Sequence, residues 1–354
     1  MTPLTDRMIR RIAAAGPMTV AEFMAESLMD PEHGYYATRD PFGTGGDFIT
    51  APEISQMFGE LIGLSLAQSW MDQGAPAPFT LAELGPGRGT LMADALRATR
   101  SVPGFHAAAR VHLVEASATL RDRQRETLEG YELRWRDSAD ALPEAPLFLV
   151  ANEFFDALPI RQFQRDAHGW RERQVAVEDG RLIFGLSAPA PLAELEHRLE
   201  ETAPGDIVET CAAAGPVMQA LAERIAGHGG AALVIDYGGW RSLGDTLQAV
   251  RGHQPEDPLA HPGEADLTAH VDFEALARAA SPLTATEMTP QGVFLERLGI
   301  TQRAQALARG LDGAALDAHV AAHRRLTHPD EMGSLFKVTG FHSSTTAPPA
   351  GLQP

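Results

Sequence analysis

The order of apolar and polar positions divides the chain into three stretches. Residues 1–78 carry apolar positions at helical spacing and predict helices at about 19–29 and 53–70, around a glycine-rich loop at 41–53. Residues 79–240 alternate short apolar runs with helical patterns. Strands are expected near 79–84, 111–115, 132–135, 147–151 and 231–236, the alternation of a parallel sheet. A hairpin is expected over 160–185, turning at Asp166–Gly169 and Glu178–Gly180, and 188–228 reads as loop followed by helix. Residues 241–344 predict loops, helices near 271–280 and 301–324, and a closing strand at 335–341. The tail, Thr345–Pro354, is polar and proline-bearing and is expected to be disordered. The domain division expected is therefore 1–78, 79–240, 241–344 and the tail.

Residues 4–15 are basic and amphipathic, as a targeting leader can be. Thr19 and Glu22 follow with capping-box spacing, so a folded helical region is expected there instead of a leader. The formal charge of −18 opposes binding to nucleic acid, which needs a basic surface, and suits a cationic substrate. No apolar run approaches the ~20 residues that span a bilayer. The single cysteine, Cys211, excludes an intrachain disulfide and fits no metal-ligand spacing, so no metal is expected and a reducing compartment, the cytoplasm, is. Lys337 is the only lysine among many arginines and alanines, a bias expected of a GC-rich bacterial genome.

The densest chemistry lies at 81–91, where an apolar strand ends in Glu83 and runs into Gly85, Gly87 and Gly89. Alternate glycines clear the backbone for close approach of a ligand. The spacing G-x-G-x-G, without the third glycine of G-x-G-x-x-G, leans towards S-adenosylmethionine over a dinucleotide. Thr90 is expected to cap the following helix. The second strand ends in Glu115, where a ribose diol would lie; the bland alternative is that Glu115 caps the helix at 117–128.

All five expected strand ends are polar: Glu83, Glu115, Asp137, Asn152 with Glu153, and Asp236 with Tyr237. Ligands of such sheets lie at the carboxyl ends of the strands, so these residues are expected to line one cleft. Asp137 is placed for an adenine amino group or, equally, for a helix N-cap. Glu153 and Asp156, if helical, share a face and could hold a cationic acceptor such as a guanidinium. The loop containing Gly46, Asp47, Thr50, Pro52 and Glu53 is expected to act as a lid or active-site element, with a surface loop as the alternative. His270, near Asp272, is a candidate proton handler or a structural histidine.

These segments together resemble the MidA family of bacterial and mitochondrial proteins. The resemblance rests on Asp40-Pro-Phe-Gly43, Gly46-Asp-Phe-Ile-Thr-Ala-Pro-Glu-Ile-Ser55, Glu83-Leu-Gly-Pro-Gly-Arg-Gly-Thr-Leu91 and Asn152-Glu-Phe-Phe-Asp-Ala-Leu-Pro159. It continues through Ile235-Asp-Tyr-Gly238, Gly244–Arg251, Asp266–Phe273, Gln291-Gly292 and Met332–Lys337. The resemblance implies a Rossmann-like class I methyltransferase sheet with an N-terminal helical addition and inserted helical and hairpin segments. It also implies S-adenosylmethionine as cofactor, with its contacts carried onto Glu83, Gly85, Gly87 and Glu115; Gly89, Asp137 and Asn152 are further cofactor-binding candidates from their places at the turn and the strand ends. It makes Glu153 and the loop 46–53 active-site elements; with Asp156 and His270 added from the residue pattern, Glu153, Asp156, Glu53 and His270 are the catalytic candidates, and Gly46, Asp47, Thr50 and Pro52 the substrate-side lid. The implied activity is symmetric dimethylation of an arginine in the large hydrophilic quinone-site subunit of respiratory complex I, with a homodimer as the assembly left open. A small-molecule methyltransferase and a non-catalytic S-adenosylmethionine-binding assembly factor are the competing readings.

Overall fold

A computed structural model describes residues 2–38 and 50–353. The chain forms two compact units from interleaved segments: Met1–Phe48, Asp156–Ala214 and Gly239–Asp272 in one, Ile49–Phe155, Gly215–Gly238 and Phe273–Pro354 in the other.

The second unit is built on a sheet of β1 (Phe79–Leu84), β2 (Ala109–Val114), β3 (Leu133–Arg136), β4 (Leu147–Asn152), β5 (Gly230–Gly239) and β6 (Phe336–His342). Their order is β6-β5-β4-β1-β2-β3. β1 to β5 pair in parallel, as the alternating pattern requires, while β6 joins β5 antiparallel and is itself flanked by the short strands Thr284–Ala285 and Thr289–Pro290. Every residue of β1 and β4 is buried, because helices cover both faces of a sheet of this kind. The chain runs from β1 outward to β2 and β3, then returns to place β4 on the other flank of β1. That reversal opens a crevice at the carboxyl ends of β1 and β4.

Helix α1 (Gln56–Asp72) and helix α2 (Thr90–Ala98) lie almost backbone to backbone. A Cβ on Gly59 would stand 2.7 Å from Asp94 Cβ, and one on Gly63 would stand 2.6 Å from Ala95 Cα. Only glycine fits at these two positions of a close-packed interior. Helix α3 (Ala118–Thr127) follows β2, with Ser117 as its N-cap.

Four expectations are corrected in this unit. The helix expected at 53–70 is two helices, Ala51–Ile54 and α1, because Ser55 adopts an extended backbone and caps the second. Thr90 is not the N-cap of α2; Gly89 holds that place in the left-handed conformation. The helix expected at 301–324 is split into Ile300–Ala308 and Gly313–Thr327, with Gly310 and the N-cap Asp312 in the break. The tail is docked through residue 353: Leu352 is buried in the core, and Ser65 Oγ donates to Ala350 O at 2.8 Å. Composition alone had pointed to disorder, but one leucine with a place in the core outweighs the polar residues around it.

In the first unit, Met18–Thr19, Gly169–Glu178, Arg161–Asp166 and Ile207–Thr210 form a sheet in that order, and Arg181–Leu186 pairs with Gly169–Glu178. The expected hairpin and its turns are present; the strand Ile207–Thr210 was hidden in what read as loop. The N-terminal segment is a helix, Pro3–Ala15, that buries Leu4, Met8 and Ile12. The capping box of Thr19 and Glu22 starts the helix Val20–Met29 as its spacing predicts. Among the described residues, no helix is long and apolar enough to cross a membrane.

Candidate active site

The turn after β1 is built from glycines because its backbone demands them. Gly85 sits at φ +59°, and a Cβ there would meet Phe154 at 3.0 Å. Its N–H donates to Val114 O at 3.0 Å, which continues the β1–β2 pairing past the last strand residue. Gly87 and Gly89 also take left-handed backbone, so the three glycines form one tight loop into α2.

Glu83, the penultimate residue of β1, has only 3% of its surface exposed. It accepts the backbone N–H of Met92, in the first turn of α2, a turn whose N-cap residue has no side chain to offer. Its second oxygen, Oε2, is buried with no hydrogen-bond partner among the described residues. Burial raises its pKa to about 8, with the neighbouring Glu115 carboxylate adding to the rise. The strand-end acid is thus both a helix cap and an acceptor available to a ligand.

Glu115 is held in a network that the sequence did not disclose. Its Oε1 accepts Ser117 N–H at 2.8 Å and its Oε2 accepts Gln124 Nε2–H at 3.2 Å. The same Gln124 amide donates to Gly87 O at 2.8 Å, and its carbonyl accepts Trp135 Nε1–H at 2.7 Å. Gln124 is completely buried. One signal was legible: it lies four residues after Leu120, on the inward face of α3, where a polar residue requires partners. Burial raises the Glu115 pKa despite these donors.

On the other flank of the crevice, Glu153 N–H donates to Ile235 O at 2.9 Å, so the β4–β5 ladder extends one residue beyond β4. Glu153 then takes φ +51°, a conformation uncommon for a residue with a Cβ and concentrated at functional positions. Its Oε1 accepts Asn152 Nδ2–H at 3.2 Å and Ala51 N–H at 3.4 Å. Asn152 Oδ1 is buried and has no partner among the described residues. Ala51 opens the short helix Ala51–Ile54, which carries Pro52 in its first turn and also carries Glu53; Thr50 is its N-cap, without a side-chain cap bond. Glu53 Oε1 accepts the hydroxyl of Thr90 at 2.5 Å.

The remaining candidates fall elsewhere. Residues 153–156 are a bend and a turn, not a helix, so the shared helical face expected for Glu153 and Asp156 does not exist. The reason is Asp236, completely buried, whose Oδ2 accepts Phe155 N–H at 3.1 Å and whose Oδ1 accepts Tyr237 N–H at 3.0 Å. Asp236 therefore serves to fix backbone at the strand ends. Asp156 is buried in the other unit, where its backbone carbonyl accepts Ala269 N–H. Asp137 is 89% exposed and pairs with Arg121 at 2.6 Å. His270 is exposed in the first unit, its N–H donating to Thr246 Oγ1 at 2.8 Å. Gly46 and Asp47 lie outside the described residues.

Two buried acceptors without partners among the described residues, Glu83 Oε2 and Asn152 Oδ1, flank a turn that a single Cβ would obstruct. Such a crevice fits a ligand bringing N–H or O–H donors, as the amino acid and ribose ends of S-adenosylmethionine do. The fold and this crevice define a class I S-adenosylmethionine-dependent methyltransferase. Residues 61–291 match the family described as putative S-adenosyl-L-methionine-dependent methyltransferase, and the chain belongs to that family, as its likeness to MidA proteins led one to expect.

The chain is 39% identical to a Danio rerio protein named protein arginine methyltransferase NDUFAF7, mitochondrial, over 94% of this chain and 85% of that one. It is 38% identical to the Homo sapiens protein of the same name, over 95% of this chain and 82% of that one. A crystal structure from Burkholderia thailandensis, of a methyltransferase-like protein bound to S-adenosylhomocysteine, superposes with a TM-score of 0.85 at 32% identity, covering 98% of this chain and 94% of that one. The relatives' names correct the cytoplasmic placement expected from the sequence, since they are mitochondrial proteins. A lone thiol reports that disulfides are absent and does not tell one reducing compartment from another.

Proposed function

We propose that this methyltransferase modifies a protein arginine, placing two methyl groups symmetrically on its guanidinium, and that the acceptor is the large hydrophilic quinone-site subunit of respiratory complex I or its bacterial equivalent. The names of the relatives support arginine as the acceptor. The observation that carries the reading is Glu153: a carboxylate in left-handed backbone at the end of β4, held by Asn152 and by Ala51 N–H. The helix that holds it also bears Glu53. The acidic pair for the acceptor is therefore Glu153 with Glu53, not Glu153 with Asp156.

A guanidinium is charged at neutral pH and is planar, so two carboxylates can fork it and orient one nitrogen. S-adenosylmethionine, when bound, supplies an electrophilic methyl on a sulfonium. Glu83 and Asn152 would hold its donor groups on the glycine turn, and Glu115 its ribose. The guanidinium nitrogen would take the methyl carbon as the sulfonium–carbon bond breaks to leave the neutral thioether, and Glu153 or Glu53 would receive the proton that the guanidinium sheds. Orientation and electrostatic stabilisation supply most of the acceleration.

The test is incubation of the enzyme and deuterated S-adenosylmethionine with a proteome from the protein's host and with purified complex I subunits, followed by peptide mass spectrometry. Two labelled methyls on one arginine, in the symmetric form, are expected. Label on small molecules alone, or on no protein, would overturn the proposal.

A further inference from the structure

Thr90 is the first residue of α2, directly after the glycine turn, and it does not cap the helix. Its hydroxyl instead donates to Glu53 Oε1 at 2.5 Å, a contact between residues 37 positions apart. An O–H to a carboxylate at this length is a charge-assisted hydrogen bond, stronger and more directional than a neutral one. Glu53 stands on a helix of four residues, too short to hold its own geometry, so its carboxylate orientation depends on what it bonds to. The neighbouring N-terminal turn of α2 already donates Met92 N–H to Glu83, so one helix end touches both the strand-end acid and, through Thr90, the acid of the short helix.

We infer that Thr90 is a positioning residue: its hydroxyl fixes one oxygen of Glu53, leaves the other for the acceptor guanidinium, and ties that carboxylate to the glycine turn that carries the methyl donor. This rests on the arginine reading above for the identity of the acceptor, but the Thr90–Glu53 link itself does not. Donor binding at the turn and acceptor binding at Glu53 are then mechanically joined through a single side chain.

The test uses the full-length protein and three readouts. Thr90→Val keeps the β-branched shape and removes the hydroxyl; Thr90→Ser keeps the hydroxyl. With the arginine peptide labelled in the proteome experiment, Thr90→Val is expected to lower kcat/KM by about tenfold or more through the acceptor, while the Kd for S-adenosylmethionine by calorimetry stays within about twofold. Thr90→Ser is expected to restore the wild-type value. Independently of any activity, amide hydrogen exchange at Ala51–Ile54 should quicken in Thr90→Val and not in Thr90→Ser. Unchanged exchange, an unaltered kcat/KM, or a loss confined to donor affinity would each overturn the role of Thr90. Quickened exchange in a protein that methylates no arginine would leave the link standing and discard the arginine reading.

Discussion

Gln124 donates from one side-chain amide to the carbonyl of Gly87, at 2.8 Å, and so clamps the glycine turn from the helix that follows β2. Because the same nitrogen reaches Glu115 Oε2, the turn and the second strand-end acid are held by one buried residue. Gln124→Leu would fill the volume but strip partners from Gly87 O, Glu115 and Trp135 Nε1. Buried polar groups left unpaired cost about 1–3 kcal/mol each. The expected result is a weaker Kd for S-adenosylmethionine together with a lower urea midpoint, and an unchanged pair of values would refute the clamp.

Glu115→Ala should remove the diol contact proposed for the ribose. A hydrogen bond to a charged group contributes about 1.5–3 kcal/mol, so donor affinity is expected to fall by roughly 10- to 150-fold in calorimetry. Equal affinity in the two proteins would reject the assignment.

The carboxyl of Glu83 gives a signed pH dependence. Burial raises its pKa from 4.5 to about 8, so the folded protein without ligand keeps a proton that the unfolded chain has lost. Stability contributed by this group therefore falls as pH rises between those two values, and levels off above the higher one. Glu83→Gln cannot lose a proton there. In urea titrations, the midpoint of the wild type relative to Glu83→Gln should drop between about pH 5 and about pH 8. A constant difference across that range would show that Glu83 is charged when folded.

Glu153→Gln keeps the shape of the side chain and removes its charge. If it grips the guanidinium and takes up its proton, kcat should fall about 100-fold or more while S-adenosylmethionine still binds. Turnover on the arginine peptide that matches wild type would exclude the role.

Leu352 tests the docked tail. It is buried in the core of the second unit, beside Phe294 and Val338 in one apolar cluster. Leu352→Ala should therefore cost about 2–3 kcal/mol, the lower range for emptying a leucine site. A denaturation curve that overlays the wild type would mean the tail is detached.

The sequence by itself determined the parallel sheet, the glycine turn, the two acids that flank it and the polar ends of all five strands. These features are local: alternation, spacing and the steric needs of a turn are written in consecutive residues. It also set the capping box at Thr19 and the hairpin at 160–185. What each polar side chain does was decided by tertiary structure, because a carboxylate takes its role from the donors that distant segments bring to it. Asp236 holds backbone N–H groups with both oxygens, Asp137 faces solvent, and Glu83 caps a helix while one of its oxygens has no partner among the described residues. The partnership of Glu53 with Thr90, and of Glu153 with Ala51, spans separations of 37 and 102 residues, and no local pattern encodes a contact across such a length.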